Sequence, residues 1–379
     1  MRNVMSWIKV IIINLVLFFA LMGAMLLAPP LVVKIYRIFQ QSSIADRVSL
    51  PNYKNVSWIK PLTTEYSQLS RKYNDFVVWR TRDFNGDHIN VENGIRRTVG
   101  IETNKNSKTW FFGGSSMWGF GVNNINTIPS LYMNTTGISA SNFGELGYIS
   151  RQSLAQLHNN YLQGLDQDVI HKLVVFLDGV NDVLGFCRID SSALGTFQES
   201  LIQSNVSVQF TYEKTFQQLM YFISNLFGKL KITKNNITEY NCDTEIKRAE
   251  EIALRLVKVW EVAAALAERN GDNFVAILQP VAYAGNPSLN HLPNIDPDGG
   301  RVRKQYEAVY PLIKKYAANS HINFIDLTTA YDSCLYCYID FCHVSHNANK
   351  IFVDKFIESL ANYELMGIAD FKMFVGSRL

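Results

Sequence analysis

The sequence predicts an α/β protein: a three-layer α/β/α sandwich around a central parallel sheet, preceded by an N-terminal transmembrane helix. Three observations carry this expectation. From about residue 106 onward, strand-like apolar runs alternate with stretches of helical spacing. Among those strands, "KTWFFGG" and "HKLVVFLDG" are continuously apolar, as strands covered on both faces are. Residues 10–33 are almost wholly apolar, a run long enough for a helix to cross a bilayer.

In chain order, residues 1–9 are a short flank and 10–33 the transmembrane helix, interrupted by Asn14 and by Pro29-Pro30 near its end. A cleaved signal peptide is the competing reading, but the apolar run exceeds a usual signal core and no clear small-x-small cleavage site follows. Arg2 and Lys9 precede the span while Lys34, Arg37 and Arg47 follow it, so charge alone leaves the orientation open. Residues 34–105 carry aromatic and basic clusters, "VVWRTRDF" and "INVENGIRRTVG", and read as an ordered lead-in. The alternating domain then runs over 106–362. "KTWFFGG" is a strand, "ASNFGEL" a short strand and turn, "SRQSLAQLHNNYLQGL" a helix and "HKLVVFLDG" a strand. An insertion over about 186–241 contains the amphipathic "TYEKTFQQLMYFISNLFGKLKI", an active-site cover or plain packing. After it come the helix "DTEIKRAEEIALRLVKVWEVAAALAERNG", the strand "NFVAILQPVAY", a helix over about 301–318, the strand "INFIDLT" and the closing helix "NANKIFVDKFIESLA". Residues 363–379 are a tail.

Composition bounds the function. With 379 residues, 47% hydrophobic and 18% charged, the chain can bury a substantial core. A formal net charge of +3 without a block of like charges gives nucleic-acid binding no support. The five cysteines are Cys187, Cys242, Cys334, Cys337 and Cys342. Cys187 and Cys242 bracket the insertion as a loop-closing disulfide would in an oxidising compartment, unrelated buried thiols being the alternative. Cys334, Cys337 and Cys342 raise the question of zinc, but apart from His343 and His346 no fourth ligand has matching spacing. No metal or cofactor is expected. The sequons at Asn55, Asn134, Asn205 and Asn236 matter only in a host that glycosylates them.

In an open parallel sheet, ligands bind beyond the carboxyl ends of the strands. Four loops there carry polar residues: "GGSSMWG", "NFGELGY", "DGVND" and "IDFCHVS". A serine at a tight strand-to-helix turn is either punctuation or a nucleophile beside backbone donors. Its partners elsewhere decide between the two.

Together the four loops resemble the four blocks of the SGNH hydrolases, the GDSL esterase and lipase family, whose architecture is flavodoxin-like. Gly113, Gly114, Ser115 and Gly119 match the first block, with glycine in place of the family's aspartate. Gly147 matches the second, Gly179-Val180-Asn181-Asp182 the third, and Asp340-Phe341-Cys342-His343 the last. The resemblance implies Ser115 as nucleophile, His343 as base and Asp340 as its orienter. It further implies an oxyanion hole from the Ser115 and Gly147 backbone N–H groups and the Asn181 amide. Those residue types suit the chemistry, because a serine hydroxyl needs an imidazole within reach, and the imidazole needs an acceptor to fix its tautomer. Ser116 is the rival nucleophile, and the spacing to Gly119 favours Ser115. Asn181 and Asp182 could instead hold a turn. Trp118 and Gln279 are candidates for lining the substrate pocket.

The expected function is a membrane-anchored, single-pass serine esterase with its catalytic domain periplasmic or extracellular. Its expected substrate is an acylated glycan, another envelope component or a small ester, with O-acetyl groups one target. Alternatives are a glycan O-acyltransferase using the same serine and a non-catalytic glycan-binding surface protein. Asp340 and His343 together argue against the last, since a binding module needs no such pair.

Overall fold

The computed structural model describes residues 14, 15, 17, 18, 47–189, 239–293, 295, 296 and 298–362. The expected transmembrane helix over 10–33, save four of its residues, the amphipathic segment of the insertion and the tail over 363–379 lie outside them. Among the described residues no helix is long and apolar enough to cross a membrane.

The chain divides into two compact units, Met1–Gln68 and Leu69–Leu379. In the first, a 3-10 turn at Pro51–Tyr53 leads to α1 (Ile59–Gln68), and Tyr53 meets Trp58 edge to face with ring centroids 6.2 Å apart.

The second unit begins with a separate antiparallel hairpin, β1 (Arg71–Asn74) and β2 (Val78–Thr81). Three very short strands follow, β3 (Phe84–Asn85), β4 (Asn90–Glu92) and β5 (Ile95–Arg96). Then come β6 (Asn104–Gly113), the four-residue helix α2 (Ser115–Trp118), α3 (Ile128–Thr136) and β7 (Ile138–Asn142). The chain continues through α4 (Ser150–Leu162), β8 (His171–Asp178), α5 (Val180–Phe186) and α6 (Ile246–Arg269). It ends with β9 (Asn273–Leu278), α7 (Arg301–Ala318), β10 (Phe324–Asp326) and α8 (His346–Asn362).

The main sheet has eight strands in the order β10-β9-β8-β6-β7-β5-β4-β3. The five strands β6 to β10 are parallel, whereas β5, β4 and β3 extend the sheet antiparallel beyond β7. The expected central parallel sheet is therefore mixed. The reason is local: β3, β4 and β5 are two or three residues long and joined by tight turns, and an antiparallel neighbour needs no crossover helix. They also draw residues read as a lead-in into the sheet itself.

Side-chain alternation along the strands builds the three layers. On β6 and β8, Trp110, Phe112, Val174 and Phe176 face a core shared with α4, α5, α6 and α7. Phe111, Leu173, Val175 and Leu177 face the opposite core, shared with α3 and α8. Both faces being covered explains why these strands read as unbroken apolar runs. Each buried residue such as Phe111 or Phe112 contributes roughly 1.5–3 kcal/mol. In this strand order the chain reverses its direction of winding beside β6. In an open sheet of this kind, a ligand is expected to bind beyond the carboxyl end of the strand at that reversal, here β6.

Candidate active site

The sequence-predicted residues arrive from successive strand ends. Ser115 follows β6, Gly147 follows β7, Asn181 follows β8, Gln279 follows β9, and Asp340 and His343 lie between β10 and α8. The turn into Ser115 is glycine-bound by contact: a Cβ at Gly113 would lie 2.4 Å from the Leu177 carbonyl oxygen, and its φ of +153° already disfavours a side chain.

Ser115 Oγ lies 2.7 Å from His343 Nε2, and His343 Nδ1 lies 2.7 Å from Asp340 Oδ2. A carboxylate only accepts, so Asp340 fixes the proton on Nδ1 and leaves the Nε2 lone pair to receive the Ser115 hydroxyl. Asp340 Oδ1 meanwhile accepts from the backbone N–H groups of Cys342, at 2.9 Å, and His343, at 2.7 Å. The turn holding both residues is closed by Ile339 N–H donating to the His343 carbonyl, by Ser345 N–H donating to that of Cys337, and by an antiparallel bridge between Tyr338 and Val344. The Phe120 ring covers the imidazole, with centroids 4.4 Å apart.

The candidate oxyanion donors surround the serine loop. Asn181 Nδ2 donates one hydrogen to the Tyr148 carbonyl at 2.7 Å, leaving its second available. A Cβ at Gly114 would lie 2.6 Å from that Nδ2, so the amide sits against the serine turn. Gly147 has φ +82°, the left-handed conformation that favours glycine. Among the described residues, neither the Ser115 nor the Gly147 backbone N–H donates to another group of the protein. Asp182 supports this loop by accepting from the Ser150 backbone N–H and hydroxyl, and Asp178 accepts from the Ser153 hydroxyl. Burial raises both acids above the ordinary carboxylate range, and for Asp178 the nearby Asp182 raises it further.

Two expected pocket residues are corrected. Trp118 is 0% exposed and lies beneath Arg96, whose guanidinium carbon is 4.2 Å from its ring centroid, so it is core and not a pocket wall. Gln279 is 3% exposed, and its Nε2 donates to Ser116 Oγ at 2.7 Å and to the Cys342 carbonyl at 3.2 Å. It ties the serine turn to the histidine turn instead of facing a substrate. Ser116 also donates to the Cys342 carbonyl, which occupies the rival hydroxyl structurally.

Cys187 and Cys242 form a disulfide, with Cα atoms 5.3 Å apart. A second disulfide joins Cys334 to Cys337, which removes their thiolates from any metal site. Cys342 is buried and belongs to neither disulfide, with Sγ 3.5 Å from His343 Nδ1. Asp340, Cys342 and His343 place candidate ligand atoms within 4.8 Å of one another, but Asp340 and His343 already bind each other and Nε2 faces Ser115. Sequence reasoning missed Arg96. It is 0% exposed and donates to the carbonyls of Trp118, Gly119 and Val122, clamping the end of α2. Its only sequence signal was its place in "NGIRRTVG", where nothing distinguished it from Arg97.

No protein-family model matches the chain, and no curated protein does. Among solved structures, the chain is similar to a member of the lipolytic protein G-D-S-L family from Veillonella parvula at 13% identity, covering 67% of this chain and 98% of that one, with a TM-score of 0.39. It is also similar to a carbohydrate acetylesterase family member from Sinorhizobium meliloti at 14% identity, covering 71% and 99%, with a TM-score of 0.37. At those scores the likeness carries no argument about activity, which rests on the site.

Proposed function

We propose that the chain is a serine esterase, anchored in a membrane through residues 10–33, whose catalytic domain lies outside the cytoplasm and removes acyl groups, acetyl among them, from a glycan or another envelope component. The observation that carries the reading is the hydrogen-bonded series Ser115–His343–Asp340, with both contacts at 2.7 Å. Two disulfides support an oxidising compartment, and the apolar run supports the anchor.

In the proposed reaction Ser115 Oγ attacks the ester carbonyl carbon while its proton passes to His343 Nε2. The imidazolium that forms is held by Asp340. The carbonyl oxygen becomes an oxyanion and receives hydrogen bonds from the Ser115 and Gly147 N–H groups and the Asn181 amide. One such donor is worth about 10²–10³ in kcat. Collapse breaks the bond to the alcohol oxygen, which takes the Nε2 proton as it leaves. Water then attacks the acyl-serine, gives a proton to Nε2, and Ser115 regains it as the carboxylic acid departs.

The test is hydrolysis of p-nitrophenyl acetate and labelling by a fluorophosphonate, using the full chain in detergent. Ser115→Ala abolishes both, whereas Ser116→Ala keeps labelling because that hydroxyl bonds Gln279 and the Cys342 carbonyl. Full labelling of the Ser115 variant refutes the assignment.

A further inference from the structure

Resting on the esterase reading, we propose that Trp79, assisted by Arg71, is a positioning residue for the oxyanion donor Gly147 N–H. A peptide unit is planar and trans, so its carbonyl and N–H point in opposite directions. Gripping one end therefore orients the other. The peptide that carries the Gly147 N–H begins at the Leu146 carbonyl, and that oxygen accepts two hydrogen bonds. Trp79 Nε1 donates to it at 3.1 Å and Arg71 Nη2 at 3.3 Å.

The grip is built, not incidental. Trp79 is buried, its ring meets Tyr148 edge to face with centroids 5.7 Å apart, and the Tyr148 hydroxyl donates to the Trp79 carbonyl at 2.5 Å. The Arg71 guanidinium lies 5.4 Å from the Trp79 ring centroid. Further along β2, Arg80 Nη1 donates to the Phe143 carbonyl, and both the backbone N–H and hydroxyl of Thr81 donate to the fully buried Glu145 carboxylate. The β1–β2 hairpin thus fastens the loop over residues 143–148 on both sides of Gly147. Glycine's freedom makes the grip necessary: at φ +82° and without a Cβ, that peptide would otherwise swing cheaply.

Position has an electrical counterpart. Donation to a carbonyl polarises its peptide and strengthens the opposite N–H as a donor, and a charged donor such as arginine does so more. Trp79 and Arg71 touch no reacting atom; they act through the Leu146–Gly147 peptide, and their effect appears only when negative charge develops on the substrate oxygen.

The experiment compares an ester with its thionoester, whose carbonyl sulfur draws little from oxyanion donors. Trp79→Phe keeps an aromatic ring at the position and removes the Nε1 donor together with the outer part of the indole. The expected result is a loss of about tenfold in kcat for the ester, smaller than the 10²–10³ of outright donor removal. KM stays unchanged and the thionoester rate hardly moves, so the ester-to-thionoester ratio falls about tenfold. Arg71→Met, a change at an exposed side chain, shifts the ratio the same way by a smaller factor and tests the same peptide if Trp79→Phe fails to fold. Equal losses on both substrates would indicate displacement of Ser115 or His343 and overturn the inference, as would an unchanged ester rate. A wild-type protein inert to esters and to fluorophosphonate would overturn the esterase reading and this inference with it, while an active wild type with unaltered ratios in both variants overturns the inference alone.

Discussion

Replacing Cys187 and Cys242 together by alanine isolates what the covalent tie across the insertion contributes. The two cysteines are 55 positions apart, and a cross-link over that separation restricts the unfolded chain by about 4 kcal/mol in the loop-entropy treatment. The folded neighbourhood keeps its other bonds. Asn241 N–H donates to the Cys187 carbonyl, Ile189 N–H to that of Glu239, and the Arg248 guanidinium to those of Phe186 and Arg188. The loss therefore falls on the unfolded side of the equilibrium. At about 2 °C per kcal/mol for a domain of this size, the melting temperature drops by about 8 °C. Reductant adds a control, because Cys334 and Cys337 are only 3 positions apart and their bridge is worth about 1.5 kcal/mol by the same expression. Thermal unfolding followed by circular dichroism, with and without dithiothreitol, should show reductant lowering the parent by about four times as much as the variant. Activity well below the transition stays at the parent value, since Asn181 and Asp182 at the other end of α5 are held by Tyr148 and Ser150. A variant melting with the parent, or losing as much as the parent on reduction, refutes the reasoning.

One further expectation concerns a contact at the serine turn and another a buried acid at the end of β8. Gly114→Ala drives a Cβ to 2.6 Å from Asn181 Nδ2, so it displaces that amide and lowers kcat by about 10²–10³; adding Asn181→Ala to it should cost little more, and independent, multiplicative losses would show that the clash acts elsewhere. Asp178 is raised above its ordinary 3.8 by burial and by Asp182, so the folded state holds its proton more tightly than the unfolded state. Its contribution to stability is full below the unfolded value and is lost as pH rises through the folded one. Asp178→Asn should thus stabilise the fold relative to wild type more at pH 8 than at pH 4, and a difference in melting temperature that is flat with pH counts against it.

The four polar loops were legible because each carries a distinctive local sequence, three after strands and one just before the last helix: Gly113 to Ser115, Gly147, Asn181, and the Asp340–His343 spacing. The structure brings Ser115, His343 and Asp340 into a hydrogen-bonded series and sets Asn181 against the serine turn. What escaped was decided by burial, which residue type does not disclose. Trp118 and Gln279 stand at the right strand ends, yet one lies under Arg96 and the other spends its amide on Ser116. Arg80 and Arg96 looked like ordinary basic residues of a lead-in and are buried braces of two site loops. The antiparallel extension was invisible for a related reason: strands of two or three residues are too short to show a period.

The turn that holds Asp340 and His343 is closed within itself and also stitched to the serine turn, because the Cys342 carbonyl accepts from both Ser116 and Gln279. Small fluctuations of the surrounding loops should therefore carry carboxylate, imidazole and hydroxyl together. Heat or mild denaturant should silence such a site by undoing that stitch before the histidine–carboxylate pair comes apart, and a failure of that kind reverses on cooling.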